Sequence, residues 1–413
     1  MEYALIGEHL GHSFSPELHA LLGLEGYGLQ ELSPAQLPAF MQDFPLKGAN
    51  VTIPYKKTVI PYLDHLSDSA RLSGAVNTIV RAPEGLTGYN TDFDGFLMMA
   101  REAGIRFRDA SVLILGAGGA ASAAAAAVRS QGAAELRFAV RTPRTEDQLP
   151  LSEPERWMDA DIVVNCTPVG MHPDDASTPV DIRVFERLTG VLDCVYNPLR
   201  TNLVLDAQEA GIPAAGGLYM LVGQAFRAQE LYRGETLDLA LCAQVYRQLL
   251  AQKRNIVLCG MPSSGKTTVG KALARRLGRE FIDTDALVRE RTGKSVEALF
   301  AEGGEAYFRR LEAEAVAEVA ACQGKVISTG GGTVMFPANV RALKRNGVLC
   351  FLDRALENLR PTGDRPLSRD PEALRRLYEQ RLPVYRSVAD VSVYNDGAMA
   401  QAVDYLERYV GQE

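Results

Sequence analysis

The chain has 413 residues, more than one hydrophobic core usually holds, so two or three domains are expected. Hydrophobic residues make up 46%, charged residues 23%, and the net charge is -7; this is a globular composition that argues against a large nucleic-acid surface but leaves room for local basic pockets. No run of about 18 apolar residues reads as a membrane span, and the N-terminal stretch lacks the basic and apolar regions of a secretory signal, so a cytoplasmic location is expected.

Ser13-Phe-Ser15-Pro16 reads by itself as a turn and helix cap. Asn50-Val-Thr52-Ile-Pro-Tyr-Lys56, Ala75-Val-Asn77-Thr78 and Gly88-Tyr-Asn-Thr-Asp92 follow. Val112 to Leu115 predicts a buried strand, followed by Gly116-Ala117-Gly118-Gly119-Ala120 and an alanine-rich helix to Val128. Leu136 to Val140 predicts the next strand. Arg141-Thr142-Pro143-Arg144 comes after it, where an acidic residue would select NAD; two arginines suit a 2′-phosphate and favour NADP(H), against the alternative of plain surface charges. Ile162 to Val164 and Val191-Leu192 predict further strands, and Thr236 to Gln252 a helix with Leu237, Leu241, Val245 and Leu249 on one side. The main boundary is placed near residue 252.

In the second half, Asn255 to Cys259 predicts a strand, Gly260-Met-Pro-Ser263-Ser264-Gly265-Lys266-Thr267 fits the pattern G-x-x-x-x-G-K-[ST], and Thr268 to Leu277 predicts a helix. That order is what a phosphate-cradling loop requires: backbone N–H groups and the helix N-terminus meet the phosphates, Lys266 reaches the β and γ phosphates, and Thr267 coordinates Mg2+. The loop implies ATP. Lys325 to Ile327 and Val348 to Phe351 predict two more strands. Short β-rich runs alternating with helices predict an α/β fold with doubly wound sheets. The six cysteines (Cys166, Cys194, Cys242, Cys259, Cys322 and Cys350) form no Cys-x-x-Cys pair and read as core thiols.

Residues 254 to 413 resemble shikimate kinase. The segments carrying the resemblance are the loop above, Phe281-Ile-Asp283-Thr-Asp285, Phe308-Arg309-Arg310-Leu-Glu312, Ser328-Thr-Gly330-Gly331-Gly332, Gly363-Asp-Arg365-Pro-Leu and Gln380-Arg381-Leu-Pro-Val-Tyr385. The resemblance implies that Asp283 sits near the metal and Asp285 positions the attacking hydroxyl. It further implies that Arg309, oriented by Glu312, and Arg381 clamp the substrate carboxylate while Gly330, Gly331 and Gly332 lie against the ring. Arg365 would cover the transferring phosphate from a lid, Arg360 would lie along the adenine, and Gly260, Ser263, Ser264, Gly265 and Thr268 would complete the nucleotide loop. Ser263 departs from the family's glycine, which matters if that position needs positive φ.

Residues 1 to about 250 resemble shikimate dehydrogenase, through the segments from Ser13 to Asp92, the glycine turn, Asn165-Cys-Thr-Pro-Val-Gly-Met171, Tyr196-Asn-Pro198 and Gly217-Leu-Tyr-Met-Leu-Val-Gly-Gln224. The resemblance implies a Lys56–Asp92 catalytic pair, Ser13 and Ser15 on the substrate carboxylate, Thr52, Asn77, Tyr196 and Gln224 around the substrate, and Gly217 near the nicotinamide. The stretch from Leu21 to Gly48 is shorter than the family's, which implies trimmed helices.

Together these readings imply a substrate lobe of residues 1–100 completed by 218–252, a Rossmann-like NADP lobe of 101–217, and a P-loop kinase domain of 253–413. The function implied is reduction of 3-dehydroshikimate to shikimate with NADPH, then ATP-dependent phosphorylation of shikimate. The rival readings are a non-catalytic ligand sensor and a quinate/shikimate dehydrogenase with a weak kinase half. Partners are small molecules, not nucleic acid or membrane, and the oligomeric state stays open.

Overall fold

The computed structural model describes residues 1–11, 13–361 and 370–412. The chain divides into two compact units, Met1–Tyr246 and Arg247–Glu413.

The first unit holds two six-stranded sheets. The first sheet is built from β1 (Tyr3–Gly7), α1 (Ser15–Leu21), β2 (Tyr27–Glu31), α2 (Leu37–Asp43), β3 (Gly48–Val51), β4 (His65–Leu66), α3 (Asp68–Ser73), β5 (Thr78–Ala82) and β6 (Gly85–Tyr89), with strand order β2-β1-β3-β5-β6-β4. This sheet is mixed: β5 runs antiparallel to both β3 and β6. The β5–β6 pair is a tight hairpin of half-buried strands, and such strands carry no continuous apolar run for sequence reading to find. Buried Ile6, Val51, Phe44, Met41 and Val59 form its core.

The chain then enters α4 (Thr91–Glu102), β7 (Ser111–Leu115), α5 (Gly119–Ser130), β8 (Glu135–Val140), β9 (Gln148–Pro150), β10 (Ile162–Asn165), β11 (Gly190–Asp193), α6 (Asn202–Glu209) and β12 (Ala214–Ala215). The second sheet has order β12-β11-β10-β7-β8-β9 and is parallel throughout. Its central strand β7 is buried along its whole length, and Ala121 and residues 123–127 of α5 are buried too; small side chains let that helix lie close to the sheet.

α7 (Leu218–Arg233) returns to pack against α4, and α8 (Leu239–Lys253) follows. The α4–α7 crossing is close because glycines face each other there. A Cβ on Gly95 would lie 2.5 Å from the Met220 carbonyl oxygen and 2.8 Å from the Gln224 nitrogen, and one on Gly223 would lie 3.1 Å from the Gly95 Cα. This approach sets Gln224 beside the first turn of α4.

The second unit is a five-stranded parallel sheet of order β14-β15-β13-β16-β17. Its elements are β13 (Asn255–Cys259), α9 (Lys266–Leu277), β14 (Phe281–Asp283), α10 (Thr284–Thr292), α11 (Val296–Ala321, broken at Gly304), β15 (Val326–Ser328), α12 (Pro337–Asn346), β16 (Gly347–Asp353), α13 (Pro371–Val388), β17 (Val391–Tyr394) and α14 (Met399–Gln412). Two apolar layers cover the sheet, one around Val257, Val316 and Phe351, the other around Leu258, Leu273 and Leu406.

The glycine crossing gives a direct expectation. Alanine is the better helix former by about 1 kcal/mol, but its methyl group would meet backbone that cannot swing away, and overpacking costs about 1–3 kcal/mol. Gly95→Ala therefore lowers the thermal midpoint of the first unit and weakens substrate binding there, read by calorimetry and by steady-state kinetics.

Candidate functional site

A cavity of about 210 Å³ in the first unit is lined by Ser13, Ser15, Thr52, Lys56, Asn77, Asp92, Tyr196 and Gln224, all eight of the substrate and catalytic residues expected from sequence. Each has a local reason to be there. Ser15 opens α1, and the Ser13 hydroxyl accepts from the Ser15 backbone N–H at 3.2 Å. Lys56 follows β3 after a turn held by the Tyr55 N–H donating to the Thr52 carbonyl at 2.9 Å, and the Lys56 carbonyl accepts from Val76 N–H at 2.7 Å. Asp92 lies in the first turn of α4, which Asn90 caps through Phe93 N–H at 3.2 Å. Lys56 Nζ then donates to Asp92 Oδ2 at 2.5 Å. The aspartate side chain is only 9% exposed and the lysine 26%, so the carboxylate is the more buried partner of the pair that lines the cavity.

A buried polar network that reaches the cavity through His19, Asn50, Asn77 and Gln224 was not read from sequence. Asn50 Nδ2 donates to Thr78 Oγ1 at 3.0 Å and to the Asn77 carbonyl at 3.3 Å, leaving Oδ1 to accept from Tyr27, Tyr232 and His19 Nε2. Gln229 Nε2 reaches His19 Nδ1 at 3.4 Å, so His19 is the neutral Nε2–H tautomer. Asn77 Oδ1 accepts from Thr91 N–H at 2.7 Å while its Nδ2 donates to Gln224 Oε1 at 3.3 Å. These partners lie from 14 to 210 positions apart, so only the fold assembles them.

The NADP-type residues lie at the carboxyl ends of β7 and β8. Gly116 takes φ +97, Ala117 and Gly118 are exposed just before α5, and exposed Gly119 and half-buried Ala120 begin its first turn. The N-terminus of α5 has no side-chain cap, which leaves its N–H groups for a pyrophosphate. Arg141, Thr142 and Arg144 are exposed beyond β8, and among the described residues neither arginine pairs with a carboxylate. Gly217 caps α7. These features fit a phosphorylated dinucleotide.

In the second unit a cleft of about 1230 Å³ runs past Ser263, Gly265, Lys266, Thr267, Thr268, Asp283, Asp285, Arg309, Glu312, Gly330, Gly331, Gly332 and Arg381. Gly260 and Ser264 do not line it; Ser264 is fully buried beneath the loop. Lys266 Nζ folds onto the loop, donating to the Gly260 and Met261 carbonyls at 2.9 Å. Thr267 Oγ1 donates to Asp283 Oδ2 at 2.9 Å, which joins the two expected metal ligands and suits a hydrated Mg2+. Arg360 is exposed and touches the loop through its carbonyl. Arg365 lies outside the described residues.

The glycine run is a cradle. A Cβ on Gly330 would meet Glu312 Oε1 at 2.5 Å and Asp285 Oδ1 at 2.6 Å; on Gly331 it would meet Arg381 Nη1 at 3.3 Å; on Gly332 it would overlap the Arg309 guanidinium. Arg309 donates to Glu312 at 2.8 Å and to Glu305 at 3.0 Å. Burial opposes its charge, but the two glutamates outweigh burial and raise its pKa. Thr333, unread in the sequence, donates to Glu312 Oε1 at 2.6 Å. Asn395 Nδ2 likewise supports the loop by donating to the Ser264 carbonyl at 2.7 Å.

Ser263 does occupy the left-handed region, φ +64, and its hydroxyl donates to the Arg360 carbonyl at 2.8 Å. The backbone cost of about 1 kcal/mol is close to the gain from that hydrogen bond. Ser263→Gly should therefore change the KM for ATP by less than about threefold, whereas a β-branched Ser263→Val, which strongly resists positive φ, should raise it about tenfold or more. Steady-state titration of ATP distinguishes the two.

Burial lowers His19 from 6.5 to about 4, against the hydrogen bond to Asn50. The unfolded chain takes up this proton near pH 6.5 and the folded protein does not, so the stability contributed is complete above about 6.5 and is lost as pH falls toward 4. Asp193 and Asp94, raised by burial to about 6, act in the opposite sense as pH falls from 6. The informative quantity is the difference between wild type and His19→Gln: thermal midpoints measured at pH 7.5 and 4.5 should show a smaller drop in the variant.

The two clefts correspond to distinct known families. A family model described as "Shikimate dehydrogenase substrate binding domain" matches residues 5–79, and one described as "Shikimate kinase" matches residues 262–409. The chain is 36% identical over 259 residues to a shikimate dehydrogenase (NADP(+)) of Clostridium beijerinckii, covering 59% of this chain and 96% of that protein. It is 40% identical over 258 residues to its counterpart in Symbiobacterium thermophilum, covering 56% and 88%. Among solved structures, a chorismate mutase/shikimate 5-dehydrogenase fusion from Clostridium acetobutylicum is 33% identical with a TM-score of 0.56, covering 60% of this chain and 96% of that one. The Thermus thermophilus shikimate 5-dehydrogenase, in complex with NADP(H) and shikimate, is also 33% identical, with a TM-score of 0.53, covering 60% and 98%. The chain belongs to the shikimate dehydrogenase family and carries a shikimate kinase domain after its dehydrogenase part.

Proposed function

We propose that this chain performs two consecutive reactions, the NADPH-dependent reduction of 3-dehydroshikimate to shikimate and the ATP-dependent phosphorylation of shikimate at its 3-hydroxyl. The observation that carries the reading is that a Lys56–Asp92 pair lines a polar cavity in the same chain that holds a phosphate loop in one cleft with two arginines. The NADP-dependent relatives and the kinase family match support both activities, and neither the sensor nor the quinate reading is favoured.

NADPH supplies the hydride when bound between the glycine turn and Gly217. Ser13 and Ser15 hold the substrate carboxylate, and Thr52, Asn77, Tyr196 and Gln224 hold the ring hydroxyls. Lys56 Nζ gives its proton to the ketone oxygen as charge develops there, and Asp92 keeps Nζ aimed. Mg-ATP supplies the phosphoryl group, with Thr267 and Asp283 holding the metal. Arg309 and Arg381 bind the shikimate carboxylate, with Glu312 fixing the fork of Arg309 in one plane. Asp285 orients the attacking hydroxyl, while Lys266 and Arg365 stabilise charge on the transferring group.

The domain limits are part of the same proposal: a substrate lobe of residues 1–100 completed by 218–252, an NADP lobe of 101–217, and a kinase domain of 253–413. The two sheets of the first unit and the return of α7 onto α4 support them. No described helix is long and apolar enough to cross a membrane, and the proposed site of action is the cytoplasm.

Incubation with 3-dehydroshikimate, NADPH and Mg-ATP should consume NADPH and yield shikimate 3-phosphate, followed by absorbance and mass spectrometry. Lys56→Ala should lower the reduction rate by about 10²–10⁴-fold while added shikimate is still phosphorylated. Lys266→Met should do the reverse, leaving shikimate to accumulate. Phosphorylation surviving Lys266→Met unchanged would overturn the assignment of the loop.

A further inference from the structure

Cys166 and Cys194 stand at neighbouring strand ends, one residue past β10 and one past β11. The strands pair in parallel with Asn165 opposite Asp193, so the two cysteines occupy the next register position, and their sulfurs lie 3.6 Å apart. The backbone around them is pinned. Cys194 N–H donates to the Asn165 carbonyl at 2.9 Å, Asn165 Nδ2 donates to buried Asp193 Oδ1 at 3.0 Å, and Thr201 Oγ1 donates to Asp193 Oδ2 at 2.6 Å. Both residues are half-buried overall, whereas Cys242, Cys259 and Cys350 are buried; the remaining half-buried cysteine, Cys322, lies in the other unit. Among the described residues no group of three or more metal-type side chains forms, so the pair is not part of a metal cluster there.

We propose that Cys166 and Cys194 form a reversible disulfide that slows the dehydrogenase reaction while the kinase reaction in the same chain continues. The activity effect rests on the function proposed above; the bond itself does not. A disulfide needs a sulfur–sulfur distance of about 2.05 Å, so closure draws the two strand-end loops together by part of the remaining gap. Both loops pack on glycines expected to face the cofactor. The Cys194 carbonyl oxygen lies 2.3 Å from where a Gly217 Cβ would be, and the Cys166 carbonyl oxygen 3.4 Å from where a Gly116 Cβ would be. Tyr196, which lines the substrate cavity, is two residues from Cys194. A shift there disturbs the positioning on which hydride transfer depends.

The chemistry balances with a peroxide as the two-electron oxidant. The Cys166 thiolate attacks one peroxide oxygen, the O–O bond breaks, and the departing hydroxide leaves as water, giving a sulfenic acid. Cys194 sulfur then attacks that sulfur, and its thiol proton leaves with the displaced hydroxide as a second water. The order follows from the environment: the hydrogen bond with Cys166, burial, and the carboxylates of Asp193 and Asp92 hold the Cys194 thiol well above its ordinary range, so it resolves rather than initiates.

The test treats the intact, reduced chain with hydrogen peroxide, removes the oxidant with catalase, and assays both reactions on the same sample alongside peptide mapping without reductant. The expected result is a Cys166–Cys194 cross-linked peptide about 2 Da lighter than the two thiols together, with dehydrogenase activity down about tenfold and kinase activity within about twofold. Dithiothreitol should restore the loss, and Cys166→Ala and Cys194→Ala, each compared with its own reduced form, should neither cross-link nor respond. Absence of the cross-linked peptide overturns the proposal, as does a loss that persists in the variants or resists dithiothreitol. If the reduced chain shows no dehydrogenase activity, the proposed function fails, while the peptide map still decides whether the bond forms.

Discussion

Lys56 and Asp92 can meet only because three separate segments are held in register. Lys56 belongs to the turn after β3, Asp92 to the first turn of α4, and Val76 N–H ties the lysine backbone to the segment that leads into β5. The 2.5 Å contact joins two opposite charges in a largely buried setting, where removing either partner leaves the other uncompensated. The Asn50 network carries this geometry. It links β3 to β2 through Tyr27, to β5 through Thr78, to α1 through His19 and to α7 through Tyr232. Apolar packing alone would tolerate small slips between these elements; a buried network with its hydrogen bonds satisfied penalises them.

The kinase unit solves the same problem by subtraction. Asp285, Glu312, Arg309 and Arg381 come from α10, α11 and α13, and they converge on one strand-end loop because that loop has no side chains. Each glycine of 330–332 leaves the space one of those groups uses. On the proposed function, a ring-shaped substrate would meet this backbone on one face and the charged groups at its edge. For the proposed carboxylate clamp arginine suits better than lysine, since its planar fork matches a carboxylate and Glu312 and Glu305 hold that plane.

Strands β7, β8, β10, β11, β13, β15 and β16, the glycine turn before α5 and the phosphate loop before α9 were legible because each depends on a local pattern: an apolar run, then glycine, then helical periodicity. The candidate residues that line both cavities were legible through short motifs. What escaped was set by long-range contact. The β5–β6 hairpin alternates half-buried residues and carries no apolar run. His19 looks like a surface residue of a short helix, yet it is 2% exposed and stacks on Tyr27. Thr333 borders the glycine run and Asn395 has no motif around it, but what each does is set by a partner 21 or 131 residues away.

Ser263 shows how sequence and structure divide the work. The sequence raised the question of whether the position needs positive φ, and the structure answers that it does. The backbone strain is local, but its compensation is not: the Arg360 carbonyl that receives the hydroxyl lies 97 residues away, on the segment that precedes residues 362–369. A glycine would adopt this conformation without help and would leave that carbonyl untied. The serine therefore exchanges conformational ease for a tether between the phosphate loop and the chain at Arg360, a contact that a glycine could not make.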